Sequence, residues 1–301
     1  MRLATRGSVL ALTQARWVAE RLPGETEVVP IRTSGDRGPA LRGDPSASGG
    51  DKARFVKELE EALLAGEVDL AVHSAKDVPS ELPHGLAIVG VPERADPRDA
   101  LCGAGSLDEL PEGAAVGTSS LRRRAQLLAL RPDLDVRHLR GNVDTRLRRL
   151  AEGRYDALVL AAAGLARLDR SDEGSPIPPT QLTPAPGQGC LALEARTGDS
   201  EVAGAAAALT DREALVRLTA ERALVAGLDA SCRTPVAAHA ELEASELRLS
   251  AFVGTPDGAT WLRDAVHGDP SEPAALGERA AARLLAAGAR DVLEQAERAA
   301  L

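Results

Sequence analysis

Apolar and polar positions alternate along the chain in blocks that read as strands and helices. A short apolar run at Leu3 and Ala4 passes through Thr5, Arg6, Gly7 and Ser8 into residues 10–22, whose polar residues gather on one side. This predicts a strand, a polar turn and an amphipathic helix. Residues 27–31 read as the next strand, and residues 55–65, with Phe55, Leu59, Ala62 and Leu63 on one face, as a helix. Between them, residues 41–51 hold Gly, Ser, Pro and Asp with almost nothing apolar, the composition of a loop. Residues 68–72, VDLAV, form an unbroken apolar run bounded by polar residues, as a buried strand of a parallel sheet does. His73 then ends an apolar strand, a structural place, and SAKDVP follows it.

The plan repeats further on. Residues 114–117 are apolar, TSS follows, and a helix over residues 121–130 is halted by Pro132. Strands over 136–139 and 157–163 flank a helix over 143–150. Both stretches open with strand, Thr, Ser and helix, an internal echo that points to duplicated lobes with a cleft between them. Residues 171–188, rich in Pro, Gly and Ser, return the chain to the first lobe. A helix from residue 211 to 226, a turn carrying Cys232, strands near Val236, Leu247 and Trp261, and an Ala-rich helical segment over 273–300 complete a smaller α+β domain.

Composition narrows the chemistry. Of 301 residues 44% are apolar and only 2% aromatic, so the core is built from Ala, Leu and Val, and stacking of a ligand on aromatic boxes is disfavoured. Cys102, Cys190 and Cys232 are odd in number and widely spaced, without a Cys or His at zinc-ligand spacing, so no metal is expected and a reduced compartment is. The amino-terminal segment lacks the apolar core of a signal peptide and no stretch reaches membrane-spanning length, so a cytoplasmic protein without a membrane partner is expected.

The net charge of −9 argues against nucleic acid as a partner. Locally the balance reverses: residues 122–154 carry ten Arg against Asp133, Asp135, Asp144 and Glu152, a net +6. Such focusing suits a small polyanion. The three lysines, Lys52, Lys57 and Lys76, all fall within one short stretch, which fits positions that want a compact ammonium.

Ligands of open α/β sheets bind where strands end, and four polar clusters stand at such places: 5–8, 73–77, 118–123 and 140–146. Ser8 and Ser120 would also serve as ordinary helix caps. Arg recurs in three of the clusters and grips carboxylates through paired hydrogen bonds, so a ligand with several carboxylates follows. Arg124, Arg148 and Arg149 read equally well as solvated helix faces. Asp77 is the lone acid of HSAKDVP. A carboxylate among cations can stabilise developing positive charge and move a proton, although a loop cap before Pro79 would use the same residue. Cys232 lies in DASCRTP with Arg233 beside it to favour the thiolate, whereas Cys102 and Cys190 read as structural.

Taken in order, RGSVLAL, FVKELE, AVHSAKDVP, GTSSLRR, RGNVDTR, AAAGLARL, APGQGCLALE and DASCRTPVAAHA resemble the porphobilinogen deaminase family, from the first residues to beyond Cys232. The resemblance implies two α/β domains similar to type II periplasmic binding proteins, hinged around a cleft, and a small C-terminal α+β domain. The divisions are residues 1–92 with 190–208, residues 96–185 and residues 212–301. It implies a monomeric transferase of tetrapyrrole biosynthesis that joins four porphobilinogen molecules on a covalent dipyrromethane cofactor, with loss of ammonia, and releases hydroxymethylbilane. Cys232 is similar to the cysteine that carries the cofactor through a thioether, and Asp77 to the catalytic carboxylate, which also meets the cofactor. Ser74, Lys76, Ser120, Arg122 and Arg123 match positions around the cofactor. Arg6, Ser8, Arg140 and Arg167 match positions that hold the substrate's acetate and propionate, Arg146 matches both sets, and Lys52 matches a loop lysine near the cleft.

Two departures stand out. Ala230 and Ser231 precede Cys232 where the family often has glycines, and Ser48 and Asp51 lie in a loop usually richer in Lys and Gly. The rival function is a solute-binding protein that closes on a carboxylate without changing it. It would leave Asp77 and Cys232 idle. An RNA-binding protein is disfavoured by net acidity and by the scarcity of stacking aromatics.

Overall fold

The computed structural model describes residues 1–33, 56–230 and 234–299. The loop expected over residues 41–51, together with Lys52, Phe55, Ser231, Cys232 and Arg233, lies outside the described residues. Contacts divide the chain into one compact unit of Met1–Ala95 with Cys190–Val216 and a second of Asp96–Gly189 with Arg217–Leu301.

The first unit is built on strands β1 (Arg2–Arg6), β2 (Glu27–Ile31), β3 (Leu70–Ser74), β4 (Leu86–Gly90) and β10 (Leu191–Arg196), in the order β2-β1-β3-β10-β4. β1 runs parallel to β2 and β3, while β10 runs antiparallel to β3 and β4. Side chains alternate between faces along each strand. Leu3, Leu70, Val72, Leu191 and Leu193 pack with Ala15 and Val18 of α1 (Val9–Ala19) and with Val202 and Ala206 of α6 (Ser200–Ala207). Ala4 and Ala71 turn the other way, onto Leu59, Ala62 and Leu63 of α2 (Lys57–Leu64).

The second unit repeats this plan. Its five-stranded sheet has the order β7-β6-β8-β5-β9, from β5 (Asp99–Cys102), β6 (Ala115–Gly117), β7 (Asp135–Arg137), β8 (Ala157–Ala161) and β9 (Ser175–Pro176). β6 is parallel to β7 and β8, and β5 is antiparallel to β8 and β9. The echo of strand, Thr, Ser and helix is therefore a true duplication of topology. Helices α3 (Leu121–Leu130), α4 (Val143–Ala151) and α5 (Ala162–Ala166) cover this sheet. Cys102 packs among Leu139, Leu158 and Leu165, where burial and then Glu173 push its thiol up to about 11, which makes it an inert core residue.

The same unit contains an antiparallel sheet of β11 (Val236–Glu243), β12 (Glu246–Gly254) and β13 (Trp261–Gly268), reached through α7 (Arg212–Gly227) and followed by α8 (Pro273–Ala286) and α9 (Ala289–Ala299). Phe252 of β12 packs on Ala125 of α3. The expected α/β, α/β and α+β composition is thus present as three sheets.

Several expected boundaries shift. The strand expected over 68–72 is β3, which runs on to Ser74 and takes His73 into the sheet's interior pairing with Ala192. The strand expected to reach residue 163 ends at Ala161, because α5 begins at Ala162. The terminal helix expected over 273–300 is two helices, broken at Gly288, whose φ of 97° suits glycine and ends α8.

Candidate active site

In both units the polar clusters stand at the carboxyl ends of parallel strands. At the end of β1, the Thr5 hydroxyl donates to the carbonyl of Ala11 at 3.1 Å, and Ser8 caps α1 by accepting from the Ala11 N–H at 3.3 Å. Ser8 therefore does carry the capping role that its position allows. At the end of β3, the Ser74 hydroxyl meets the side-chain amide of Gln14 at 3.3 Å, and the Ala75 N–H donates to the Cys190 carbonyl at 3.0 Å. A single 3-10 turn, Ala75–Asp77, then presents Lys76 and Asp77 half-buried. Arg6, Gln14, Ser74 and Asp77 line one small pocket with Val72 and His73. Among the described residues none donates a hydrogen bond to the Asp77 carboxylate, so its acceptor capacity is not spent on the fold.

In the second unit, Ser120 caps α3 by accepting from the Arg123 N–H at 3.4 Å. Arg122 and Arg123 enter the core behind it, each 5% exposed, and converge on Asp99 of β5. Arg122 donates to both Asp99 oxygens at 2.8 and 3.1 Å and to the Thr183 carbonyl at 2.6 Å. Arg123 donates to Asp99 Oδ1 at 2.9 Å and to the Val159 carbonyl at 2.7 Å, and Gln188 adds a third donor to Asp99 at 2.9 Å. Burial alone would raise the Asp99 carboxyl. The charges of Arg122 and Arg123 outweigh it and hold the group well below the ordinary carboxylate range. Two guanidinium groups against one carboxylate leave a net positive charge at this point. Gln188 joins Asp99 directly and Gln126 joins Arg122 through the shared Thr183 carbonyl, a network that the sequence did not reveal, because nothing local to Asp99 distinguishes it from a surface acid.

The segment RGNVDTR folds tightly on itself. Asn142 caps α4 by accepting from the Thr145 N–H at 2.9 Å. Gly141 has a φ of 121°, and a Cβ there would stand 2.9 Å from Thr145 Cγ2, so only glycine fits. The turn brings the Gly141 carbonyl within 2.8 Å of Arg146 Nε. Burial first, then the neighbouring charges of Arg123 and Arg149, bring Arg146 down to about 10. No described carboxylate lies against Arg146. Such a cation, dehydrated among cations, is an anion site waiting for its charge partner. Arg140 is exposed, and its Nε donates to His138 Nε2 at 3.1 Å. Arg167, at the end of α5, donates to the Gly189 carbonyl at 2.8 Å.

Of the three arginines that could be solvated faces, Arg148 is one, exposed and loosely paired with Glu152 at 3.8 Å. The other two are not. Arg124 bonds the carbonyls of Pro256 and Val136, and Arg149 donates to the Arg140 carbonyl at 3.0 Å. The structure thus groups Arg6, Ser74 and Asp77 in one pocket of the first unit, and Arg123 and Arg146 in one positive region of the second. Lys52 and Cys232 lie outside the described residues.

Residues 1–204 match the family model described as porphobilinogen deaminase, dipyromethane cofactor binding domain, and residues 215–286 match that of the porphobilinogen deaminase C-terminal domain. The porphobilinogen deaminase of Thermus thermophilus is 51% identical over 302 residues, spanning 97% of this chain and 98% of that protein. That of Deinococcus radiodurans is 49% identical over 303 residues, spanning 97% of each. Among solved structures, the periplasmic VFT2 domain of Bordetella pertussis BvgS is similar with a TM-score of 0.37 at 17% identity, over 67% of this chain and 83% of that one.

Proposed function

The chain belongs to the porphobilinogen deaminase family, and we propose that Asp77 is the carboxylate on which its reaction turns. The protein is a transferase of tetrapyrrole biosynthesis, a hydroxymethylbilane synthase that works with a dipyrromethane cofactor. A solute-binding protein without chemistry is not favoured, since the family match takes in both the N-terminal and the C-terminal parts of the chain.

The single observation that carries the Asp77 assignment is its presentation on a one-turn 3-10 segment, in a pocket shared with Arg6 and Ser74, with no hydrogen bond from a described residue. A carboxylate so placed is available to the aminomethyl nitrogen of porphobilinogen. The substrate's protonated aminomethyl group leaves as ammonia with the electron pair of its C–N bond, and the carboxylate stabilises the positive charge that is left on the pyrrole. The charge is opposite, the site is partly desolvated, and the group is held before the reaction begins. Arg6, Arg140, Arg146 and Arg167 serve the acetate and propionate of the substrate by paired charge-assisted hydrogen bonds, and Ser8 adds a hydroxyl at the head of α1. Lys52 joins this set as a loop cation.

The donor set of the second unit fits a molecule rich in carboxylates, because Arg146 lies beside Arg123 and Arg149 without an acid of its own. When bound, dipyrromethane supplies the pyrrole carbon to which the first substrate unit is joined. Cys232 would hold it through a thioether, and Ser74, Lys76, Ser120, Arg122, Arg123 and Arg146 are the side chains that would bind it. The net charge left over at Asp99 lets Arg122 and Arg123 serve a ligand while remaining tied to the core. Residues 1–92 with 190–208, 96–185 and 212–301 act as three domains, each resting on its own sheet. The enzyme works as a cytoplasmic monomer; among the described residues no helix is long and apolar enough to cross a membrane.

The test replaces Asp77 by Asn, loads folded protein with preformed cofactor and follows ammonia release in a single turnover. A loss of ~100-fold or more is expected, with Asp77→Glu retaining more activity than Asn. Release near the wild-type rate would return Asp77 to the role of a loop cap.

A further inference from the structure

Under the strand end that carries Asp77 lies a buried ionisable group that the reaction described above does not use. The register sets His73 opposite Ala192 and Glu194 opposite Ala71, so the two side chains stand diagonally on one face of the sheet, the face roofed by α2. His73 Nε2 is 2.9 Å from Glu194 Oε2, and the two side chains are 3% and 0% exposed. Glu60 of α2, also buried, feels Glu194 first and His73 next among the side chains that act on it. His73 Nε2, both Glu194 oxygens and Glu60 Oε1 make no aligned hydrogen bond with a described residue, so the 2.9 Å approach is a close polar contact.

Stability gives no reason for this arrangement. Two carboxyl groups and an imidazole in a core otherwise made of Leu, Val and Ala cost desolvation, and apolar residues of similar volume would hold the strand as well or better. What a close polar contact adds is direction. Apolar contacts tolerate a slip along the strand, whereas an imidazole and a carboxylate meet in one register. On the opposite face, Ser74 is tied to Gln14, and the next residue, Ala75, is tied to Cys190. β3 is therefore clamped from both faces immediately before the turn that presents Lys76 and Asp77.

We propose that His73 and Glu194, roofed by Glu60, are positioning residues for the reaction, fixing where β3 ends and hence where the Asp77 carboxylate meets the substrate. The proposal rests on Asp77 being the catalytic carboxylate. It predicts that losing the pair moves the carboxylate without disturbing the groups that bind the substrate's acids.

The experiment measures kcat, KM for porphobilinogen, cofactor content by intact mass, and Tm for His73→Leu/Glu194→Leu, Glu194→Gln, His73→Gln and Asp77→Asn. The double apolar variant is expected to keep its Tm and its cofactor, to hold KM within about twofold and to lose roughly 10- to 100-fold in kcat. Glu194→Gln, which keeps the shape and an acceptor for the imidazole, should recover most of that loss. Wild-type kcat in the double variant overturns the proposal, and so does a kcat that falls only in step with Tm and cofactor content. Should the double variant not fold, His73→Gln, which lacks the ring that meets Glu194, carries the test alone, and wild-type kcat in it overturns the proposal. Asp77→Asn separates the two readings. An active Asn variant removes the premise, whereas an inactive Asn variant beside a fully active double variant removes only the positioning role.

Discussion

Arg122 holds both oxygens of Asp99, at 2.8 and 3.1 Å, with the two side chains 6% and 0% exposed. The arginine that family likeness places at the cofactor thus has a resident partner in the core. Asp99→Asn strands Arg122 and Arg123 without an anion and should cost about 3 to 5 kcal/mol in urea unfolding. Arg122→Leu leaves Asp99 with Arg123 and should cost less, about 1.5 to 3 kcal/mol. Because the folded carboxyl is held below its unfolded value, the Asp99 contribution is complete above the ordinary carboxylate range and drains away as pH falls toward the folded value. Asp99→Asn should therefore flatten the acid side of the stability curve. Equal losses from the two variants would show that the network is not organised around Asp99.

Glu60 titrates in the opposite sense. Burial first, and Glu194 next, raise its carboxyl from 4.5 to about 7, so between these values the folded protein keeps a proton that the unfolded chain has released. Its contribution is present below the lower value and lost as pH rises to the upper one. Glu60→Gln, neutral throughout, should gain roughly 2 to 3 kcal/mol over wild type at pH 8 relative to pH 4.5. Parallel stability curves for the two proteins would refute this.

Arg146 and Arg149 should separate by what they hold. Arg146→Leu removes a cation from among cations, so Tm should hold or rise, while KM for porphobilinogen or cofactor retention worsens at least ~10-fold, as loss of a charged hydrogen bond predicts. Arg149→Leu should weaken binding several-fold through Arg140, whose carbonyl it holds at 3.0 Å. An Arg149 variant with wild-type KM would confine its role to the surface.

Intact protein should be heavier than its sequence by two pyrrole units, with the addition mapped to Cys232 and absent in Cys232→Ser. Modification at buried Cys102 or Cys190 would displace the attachment site, and an unmodified, fully active protein would dispense with covalent attachment.

Much of this was legible along the chain, and what was not depended on distant partners. The helix over 121–130 and the strand over 27–31 fall where apolar pattern and Pro132 place them. Cap chemistry made Ser8 and Ser120 visible, and the repeated strand-Thr-Ser-helix order exposed the duplication. β4, β5, β9 and β10 are not legible in the sequence because each is made a strand by a neighbour far away, as Ser74 makes one of Leu191. For the same reason His73 reads as a strand terminus in sequence. Only its diagonal with Glu194 shows it to be half of a buried pair. Arg149 looked like surface because the carbonyl it serves belongs to a residue nine positions earlier.

The reversed strand at the heart of the first sheet also sets an order of manufacture. β4 has β10 as its sheet neighbour, and β10 begins at Leu191, after the whole second sheet has been made. During synthesis, the first strands to leave the ribosome wait with the edges of β3 and β4 unpaired, while the sheet from β5 to β9 can close on its own residues. The amino-terminal unit, though first to be translated, is last to be completed. A chain that stops short of Arg196 leaves it open at its middle.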